Sequence, residues 1–178
     1  MHMWDYQTPI EETLEILNDF IKEGKIKEIG ISNCFAYQLA IANTIAKERG
    51  LQGFVSVQGH YNLIFREEER EMKRYCDEQN IAMTPYSALA SGRLAKHPGV
   101  TSQRLEQDTY ASGKYDASSD LDLRIIQRVE EIASKHHVSM SEVSLSWLMS
   151  KVASPVVGAT KLKHVDTAVL ATELELTE

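Results

Sequence analysis

Glu28-Ile29-Gly30-Ile31-Ser32-Asn33 reads as a short buried strand that stops at two hydrogen-bonding side chains. The same pattern returns at Phe54-Val55-Ser56-Val57, which ends at Gln58, and at Ile81-Ala82-Met83-Thr84, which ends at Pro85-Tyr86. These strands begin about 27 residues apart, the length of one strand–loop–helix–loop repeat. A fourth apolar run, Pro155-Val156-Val157, stops at Gly158. Only the architecture repeats, because no sequence recurs at that period.

Helical patterns fill the spaces between the runs. Thr8 reads as an N-cap, with Pro9 at the first helical position and Glu11 closing a capping box. Ile10, Leu14, Leu17 and Ile21 follow at helical spacing, and Gly24 ends the segment. Further helices are expected over about 37–49, stopping at Gly50, and over about 68–79, 121–136, 140–150 and 163–172. Ser139 and Glu142 form a second capping box. The charge run from Arg66 to Arg74 reads as a solvated helix face. The polar stretch from His97 to Ser119 reads as a long loop, of a length that is often a functional lid or else disordered.

Four short strands alternating with helices predict a parallel sheet joined by crossover helices. An open doubly wound sheet and part of a (β/α)8 barrel both fit. A complete barrel takes about 250 residues, and this chain has 178.

Composition narrows the function. Hydrophobic residues make up 43% and charged residues 25%, as in an ordinary globular domain. The formal net charge of −7 speaks against a nucleic-acid partner. Cys34 and Cys76 lack metal-ligand spacing and read as reduced thiols of a cytoplasmic protein. No apolar run reaches the roughly 18 residues of a membrane span, and no signal-peptide pattern opens the chain. His97, His164 and the His136-His137 pair carry no metal pattern, and Asp120 and Asp122 read as helix-start charges. GxGxxG, P-loop and GxSxG motifs are all missing.

In both architectures ligands bind at the carboxyl ends of the strands. The residues there are Ser32-Asn33, Gln58, Tyr86-Ser87 and Gly158-Ala159-Thr160-Lys161. Amides and hydroxyls pair with a carboxamide, an aromatic ring offers a stacking face, and a glycine turn opening a helix beside a lysine suits a phosphate. Each residue also has an ordinary reading: Asn33 as a turn, Gln58 as a strand end, Tyr86 as core.

Taken together, these segments closely resemble the aldo-keto reductase family. The resemblance rests on Gly30-Ile31-Ser32-Asn33, on Gln58 with Tyr61-Asn62, on the run from Pro85 to Leu94, and on the run from Pro155 to Lys161. The opening His2-Met3-Trp4-Asp5 fits as well. It implies the C-terminal half of a (β/α)8 TIM barrel, with about four parallel strands in a single domain over residues 1–178. The family reduces aldehydes and ketones with NADPH. By resemblance, Ser32, Asn33 and Gln58 would hold the nicotinamide carboxamide, and Tyr86 would stack on its ring. Ser87, Leu89, Ser91 and Arg93 would line the pyrophosphate path, partly through backbone N–H groups. Gly158, Thr160 and Lys161 would meet the adenosine 2′-phosphate. His2 matches the active-site histidine that orients the substrate carbonyl.

Two departures stand out. The family's catalytic Asp, Tyr and Lys belong to sequence that precedes the position matched by Met1, and none of the seven tyrosines here occupies the acid's place. Thr167 and Ala168 stand where the family usually has an acidic residue and an asparagine against the adenine. The resemblance therefore implies an NADP(H)-dependent carbonyl reductase whose 178-residue chain has an incomplete tetrad and little activity alone. A non-catalytic nucleotide-binding half-barrel, self-associating through its open edges, is the second expectation, and an open flavodoxin-like sheet the third.

Overall fold

The computed structural model describes residues 1–97, 100, 115 and 119–177. The expected loop from His97 to Ser119 lies mostly outside the described residues. Contacts divide the chain into two compact units, 1–60 with 67–85 and 61–66 with 86–178.

The first unit holds a parallel sheet of three strands in the order β1 (Gly30–Ser32), β2 (Ser56–Gln58) and β3 (Ala82–Met83). Gly30, Ser56 and Ala82 stand side by side, as do Ile31, Val57 and Met83. The ladder runs beyond these narrow spans, since Val55 N–H donates to Ile29 O at 3.0 Å and Thr84 N–H to Val57 O at 2.9 Å. Ile31, Val57 and Met83 are buried, matching the apolar runs in the sequence. A Cβ at residue 30 would collide with Ser56 Oγ and lie 3.3 Å from the Ser56 carbonyl oxygen, so this close approach of β1 to β2 calls for glycine. Met1 lies along β1: its amino group donates to Gly30 O and its carbonyl accepts from Ser32 N–H, both at 2.9 Å.

Helix α1 (Ile10–Lys22) leads into β1, α2 (Ala36–Glu48) connects β1 to β2, and α3 (Met72–Gln79) connects β2 to β3. Gly24 and Gly50 sit at positive φ just past the first two, as helix-ending glycines should. The expected cap of α1 is not formed. Pro9 is the N-cap, and the Thr8 hydroxyl donates instead to Asp5 Oδ2 at 2.6 Å. Asp5 also accepts from Gln7 N–H, so a turn centred on Asp5 outcompetes the box with Glu11. The expected start of the third helix at residue 68 is a 3₁₀ turn at Glu67–Glu69, followed by α3.

Two asparagines fix the approach to β2. Asn18 on α1 donates to Gln52 O at 3.0 Å and accepts from Gln52 N–H at 2.7 Å. Asn43 on α2 makes the same pair of bonds with Phe54, at 3.0 and 2.7 Å. Each amide side chain thus replaces a strand neighbour for the segment leading into β2.

The second unit contains α4 (Ser119–His136), α5 (Met140–Met149), α6 (Leu162–Leu170) and a 3₁₀ helix at Ala90–Ala95. The capping box at Ser139 forms as expected: Ser139 N–H donates to Glu142 Oε2 at 2.8 Å, and Glu142 N–H to Ser139 Oγ at 3.2 Å. α5 buries Met140, Val143, Leu145 and Leu148, and so serves two apolar clusters. One gathers Leu94, Tyr115, Ile126 and Val129; the other gathers Tyr61, Ala88 and Ala171. Its two buried serines bond to carbonyls, Ser144 to Leu94 O at 3.1 Å and Ser146 to Leu174 O at 2.6 Å. α6 buries none of its own residues and exposes Leu162, Val165 and Val169.

The fourth expected strand is corrected. Pro155-Val156-Val157 is not a strand, and the described sheet has three strands rather than four. Val157 packs against the Tyr61 cluster while Val156 is exposed, so the alternation of a strand is present. A strand also needs a ladder, which this segment lacks among the described residues, and Pro155 has no N–H to contribute.

Candidate active site

At the carboxyl end of β1, Asn33 adopts φ +51°, a left-handed conformation that asparagine tolerates better than most residues. Its N–H donates to Gln58 O at 3.1 Å, which ties the end of β1 to the end of β2. The buried Ser32 hydroxyl donates to the same carbonyl at 2.9 Å and accepts from Asn33 Nδ2 at 2.9 Å. Asn33 Nδ2 also reaches His2 O at 3.4 Å, which places residue 2 beside this cluster. Ser32, Asn33 and Gln58 are therefore gathered at the strand ends of the first unit, and the backbone of His2 lies beside them. The Gln58 amide is half-buried, with no hydrogen-bond partner of its own among the described residues.

Next to Gln58, Gly59 packs against the Glu68 carboxylate, 2.9 Å from where a Cβ would stand. Burial raises the Glu68 pKa above the ordinary carboxylate range. Burial, then Glu68, pushes the Cys34 thiol up to about 11. Burial, then Asp77, Cys34 and Glu68, pushes Cys76 up to about 12. Both cysteines are free, and at neutral pH both are thiols rather than reactive thiolates.

In the second unit, Ser87, Ala90, Ser91 and Gly92 all have positive φ. Each non-glycine residue in that region costs about 1–2 kcal/mol. The turn is closed by Ala90 N–H to Ser87 O at 2.9 Å and Gly92 N–H to Leu89 O at 2.8 Å. Ser87, Leu89, Ser91 and Arg93 are half-buried and lie together on this turn, and Tyr86 precedes it. Asn62 and Tyr115, which carried no assigned role in the sequence reading, hold it. Asn62 Nδ2 donates to Ser87 O at 2.9 Å and to the Tyr115 hydroxyl at 3.1 Å. The Arg93 guanidinium lies 5.1 Å from the centre of the Tyr115 ring. The one sequence signal for Asn62 was its place in the Tyr61-Asn62 pair that helps carry the family resemblance; nothing near Tyr115 in the sequence points to it.

Gly158, Thr160 and Lys161 are exposed ahead of α6. A side chain at residue 158 would meet nothing within 4 Å. Lys161 is the N-cap of α6 and gives no side-chain capping bond; in the first turn the His164 N–H donates to Lys161 O at 2.9 Å. The Thr167 hydroxyl donates to Lys163 O at 2.9 Å, within the helix. His60 and Tyr61, which follow Gln58, are both buried, and the Tyr61 ring packs 5.6 Å from Trp147. A cavity of about 270 Å³ in the second unit is lined by Leu63, Ile125, Val129 and Trp147 with Arg124 and Arg128, and none of the predicted site residues lines it. Among the described residues no cluster of His, Cys, Asp or Glu could hold a metal, and no helix is long and apolar enough to cross a membrane.

The aldo/keto reductase family profile matches residues 1–178. The chain belongs to the aldo/keto reductase family. It is 40% identical to an aldo-keto reductase of Fusarium vanettenii, a match covering 100% of this chain and 48% of that protein. It is 42% identical to an aldo-keto reductase of Metarhizium robertsii, covering 99% of this chain and 48% of that one. A versiconal hemiacetal acetate reductase of Aspergillus parasiticus is 36% identical, with 99% and 52% covered. This family member thus spans about half the length of the curated relatives it matches. Its fold is similar to that of a thermostable aldo-keto reductase crystallised with the inhibitor epalrestat. The TM-score is 0.77 at 23% identity, over 100% of this chain and 54% of that one. A parallel sheet with connecting helices agrees with part of that family's barrel.

Proposed function

We propose that this chain carries the cofactor-binding side of an NADP(H)-dependent carbonyl reductase built on the C-terminal half of a (β/α)8 barrel. The supporting observation is the Ser32–Asn33–Gln58 cluster at the carboxyl ends of two adjacent parallel strands. Its chemistry fits a carboxamide. The Gln58 amide offers a donor and an acceptor, and Ser32 fixes Asn33 beside it. In the second unit, Lys161, the open face of Gly158 and the uncapped start of α6 fit a 2′-phosphate. NADP(H), when bound, supplies the hydride. Tyr86 would stack on the nicotinamide, the Ser87–Arg93 turn would receive the pyrophosphate, and His2 would orient the substrate carbonyl. Thr167 and Ala168 add no charge against the adenine.

Hydride transfer to a carbonyl also needs a proton donor. In this family that is a tyrosine tuned by a lysine and an aspartate, and no residue of this chain matches those three. Assayed by itself, the 178-residue chain is expected to oxidise NADPH with a generic aldehyde at least about 10²-fold more slowly than an intact family member, since a missing general acid costs about that much. Titration with NADPH should nevertheless quench Trp4 or Trp147 fluorescence. Saturable quenching without turnover supports the reading; steady turnover, or no quenching, overturns it. We place the protein in the cytoplasm, a setting that suits two protonated free thiols.

The exposed Leu162, Val165 and Val169 on α6 favour a second property of the isolated chain, self-association. Light scattering on a sizing column should give a mass above one chain, and a single monomeric peak would rule this out.

A further inference from the structure

We infer that Tyr115 and Asn62 are positioning residues that hold the Ser87–Arg93 turn in the shape that receives the cofactor's pyrophosphate. This rests on the cofactor reading above and goes beyond it, because neither residue belongs to the matched cofactor positions.

The turn needs an external brace. Ser87, Ala90 and Ser91 all sit at positive φ without being glycine, a conformation the local chain does not favour. Leu89 at φ −104° followed by Ala90 at φ +47° pairs a right-handed with a left-handed residue, the arrangement that turns neighbouring backbone N–H groups toward one concave side; the Ala90 and Gly92 N–H groups themselves bond inside the turn. Something must keep that arrangement from relaxing, and two buried side chains are in place to do so. Asn62 is fully buried. Its oxygen accepts from the Ile64 and Phe65 N–H groups at 3.0 and 2.9 Å, which fixes the side chain in its own turn. Its nitrogen is then aimed at Ser87 O and at the Tyr115 hydroxyl. Tyr115 is 2% exposed and packs against Ala90 and Leu94, the apolar side of the same turn. Its hydroxyl lies beside the Ser87 side chain, and its ring lies under Arg93. One tyrosine therefore touches the turn at its start, its middle and its end. The Arg93 charge is held over a ring face rather than left to wander, so the cation and the N–H groups are fixed relative to one another.

Tyr115→Phe keeps the ring and its packing and removes only the hydroxyl, leaving Asn62 Nδ2 short of one partner. With the 178-residue chain, calorimetric titration with NADPH and with adenosine 2′,5′-bisphosphate separates the roles. The bisphosphate carries the adenosine and its 2′-phosphate but no pyrophosphate bridge. The variant should bind NADPH about tenfold more weakly, the loss expected from one buried hydrogen-bond partner, and the bisphosphate within twofold of the parent. Asn62→Asp keeps the oxygen that accepts from Ile64 and Phe65 and loses the donor, and should repeat the pattern even if Tyr115→Phe folds poorly. Equal weakening of both ligands would make the pair merely structural, and unchanged NADPH affinity in a well-folded variant would overturn the proposal while leaving the cofactor reading intact. If the parent chain binds neither ligand, the cofactor reading falls and this inference falls with it.

Discussion

The two strand-end clusters are held in place in different ways. In the first unit, Ser32, Asn33 and Gln58 are positioned by the sheet ladder, and one left-handed residue completes the turn. In the second, the Ser87–Arg93 turn has three left-handed non-glycine residues and is braced by side chains from residues 62 and 115. A ladder repeats along the chain and is set by local patterning. A brace depends on single residues far away in sequence, so its loss is neither shared nor buffered. The first cluster should therefore tolerate substitution better than the second.

The sharpest way to break this contrast is to replace both asparagines. Asn62→Leu removes four hydrogen bonds at a fully buried position. It should cost about 3–4 kcal/mol in denaturant unfolding, since each orphaned buried group costs about 1–3 kcal/mol and neighbours relax only in part. Asn33→Ala, at a half-buried site backed by the ladder, should cost about 1 kcal/mol, mostly from the left-handed backbone. Equal losses would mean that ladder and brace are not different supports.

A smaller effect sharpens the first unit alone. The Glu68 carboxyl beside Gly59 is raised by burial, so its neutral form fits the fold better. Its contribution is fully present below the ordinary value near 4.5 and is lost as pH rises through the raised folded value. Glu68→Gln should therefore match the parent's stability near pH 4 and exceed it at pH 7. Parallel stability curves for the two proteins across that range would show that burial of Glu68 costs the fold nothing.

These supports also explain what the sequence disclosed. Gly24 and Gly50 end helices, Ser139 and Glu142 form their box, and the three apolar runs around residues 30, 56 and 82 form the sheet. All of these depend on neighbours a few residues apart or on simple burial. The misread cap at Thr8 came from a rival partner, Asp5, only three residues away, because two local bonds compete and spacing alone does not choose between them. Pro155-Val156-Val157 has the right residues for a strand, but a strand is defined by its partner. The Asn18 and Asn43 clamps were invisible because an asparagine in a helical pattern looks like a surface residue until the segment it holds is in place. In the candidate site, strand ends pointed to Ser32, Asn33 and Gln58, whereas Tyr115 acts at a separation of 53 residues from Asn62, beyond any local pattern.

The even register of the sheet has a consequence for change in length. Each ladder partner lies 26 residues after the one before it, from Gly30 to Ser56 to Ala82. An insertion inside a helix rotates everything after it by a fraction of a turn, and a one-residue slip in a strand turns its side chains to the opposite face. Ser32 and Gln58 stay level only if added residues are absorbed where α1 and α2 hand over to the next strand. Asn18 and Asn43 close that route at Gln52 and Phe54. Insertions and deletions in this unit should therefore be better accepted at Lys25–Lys27, ahead of β1, than at 51–54, ahead of β2.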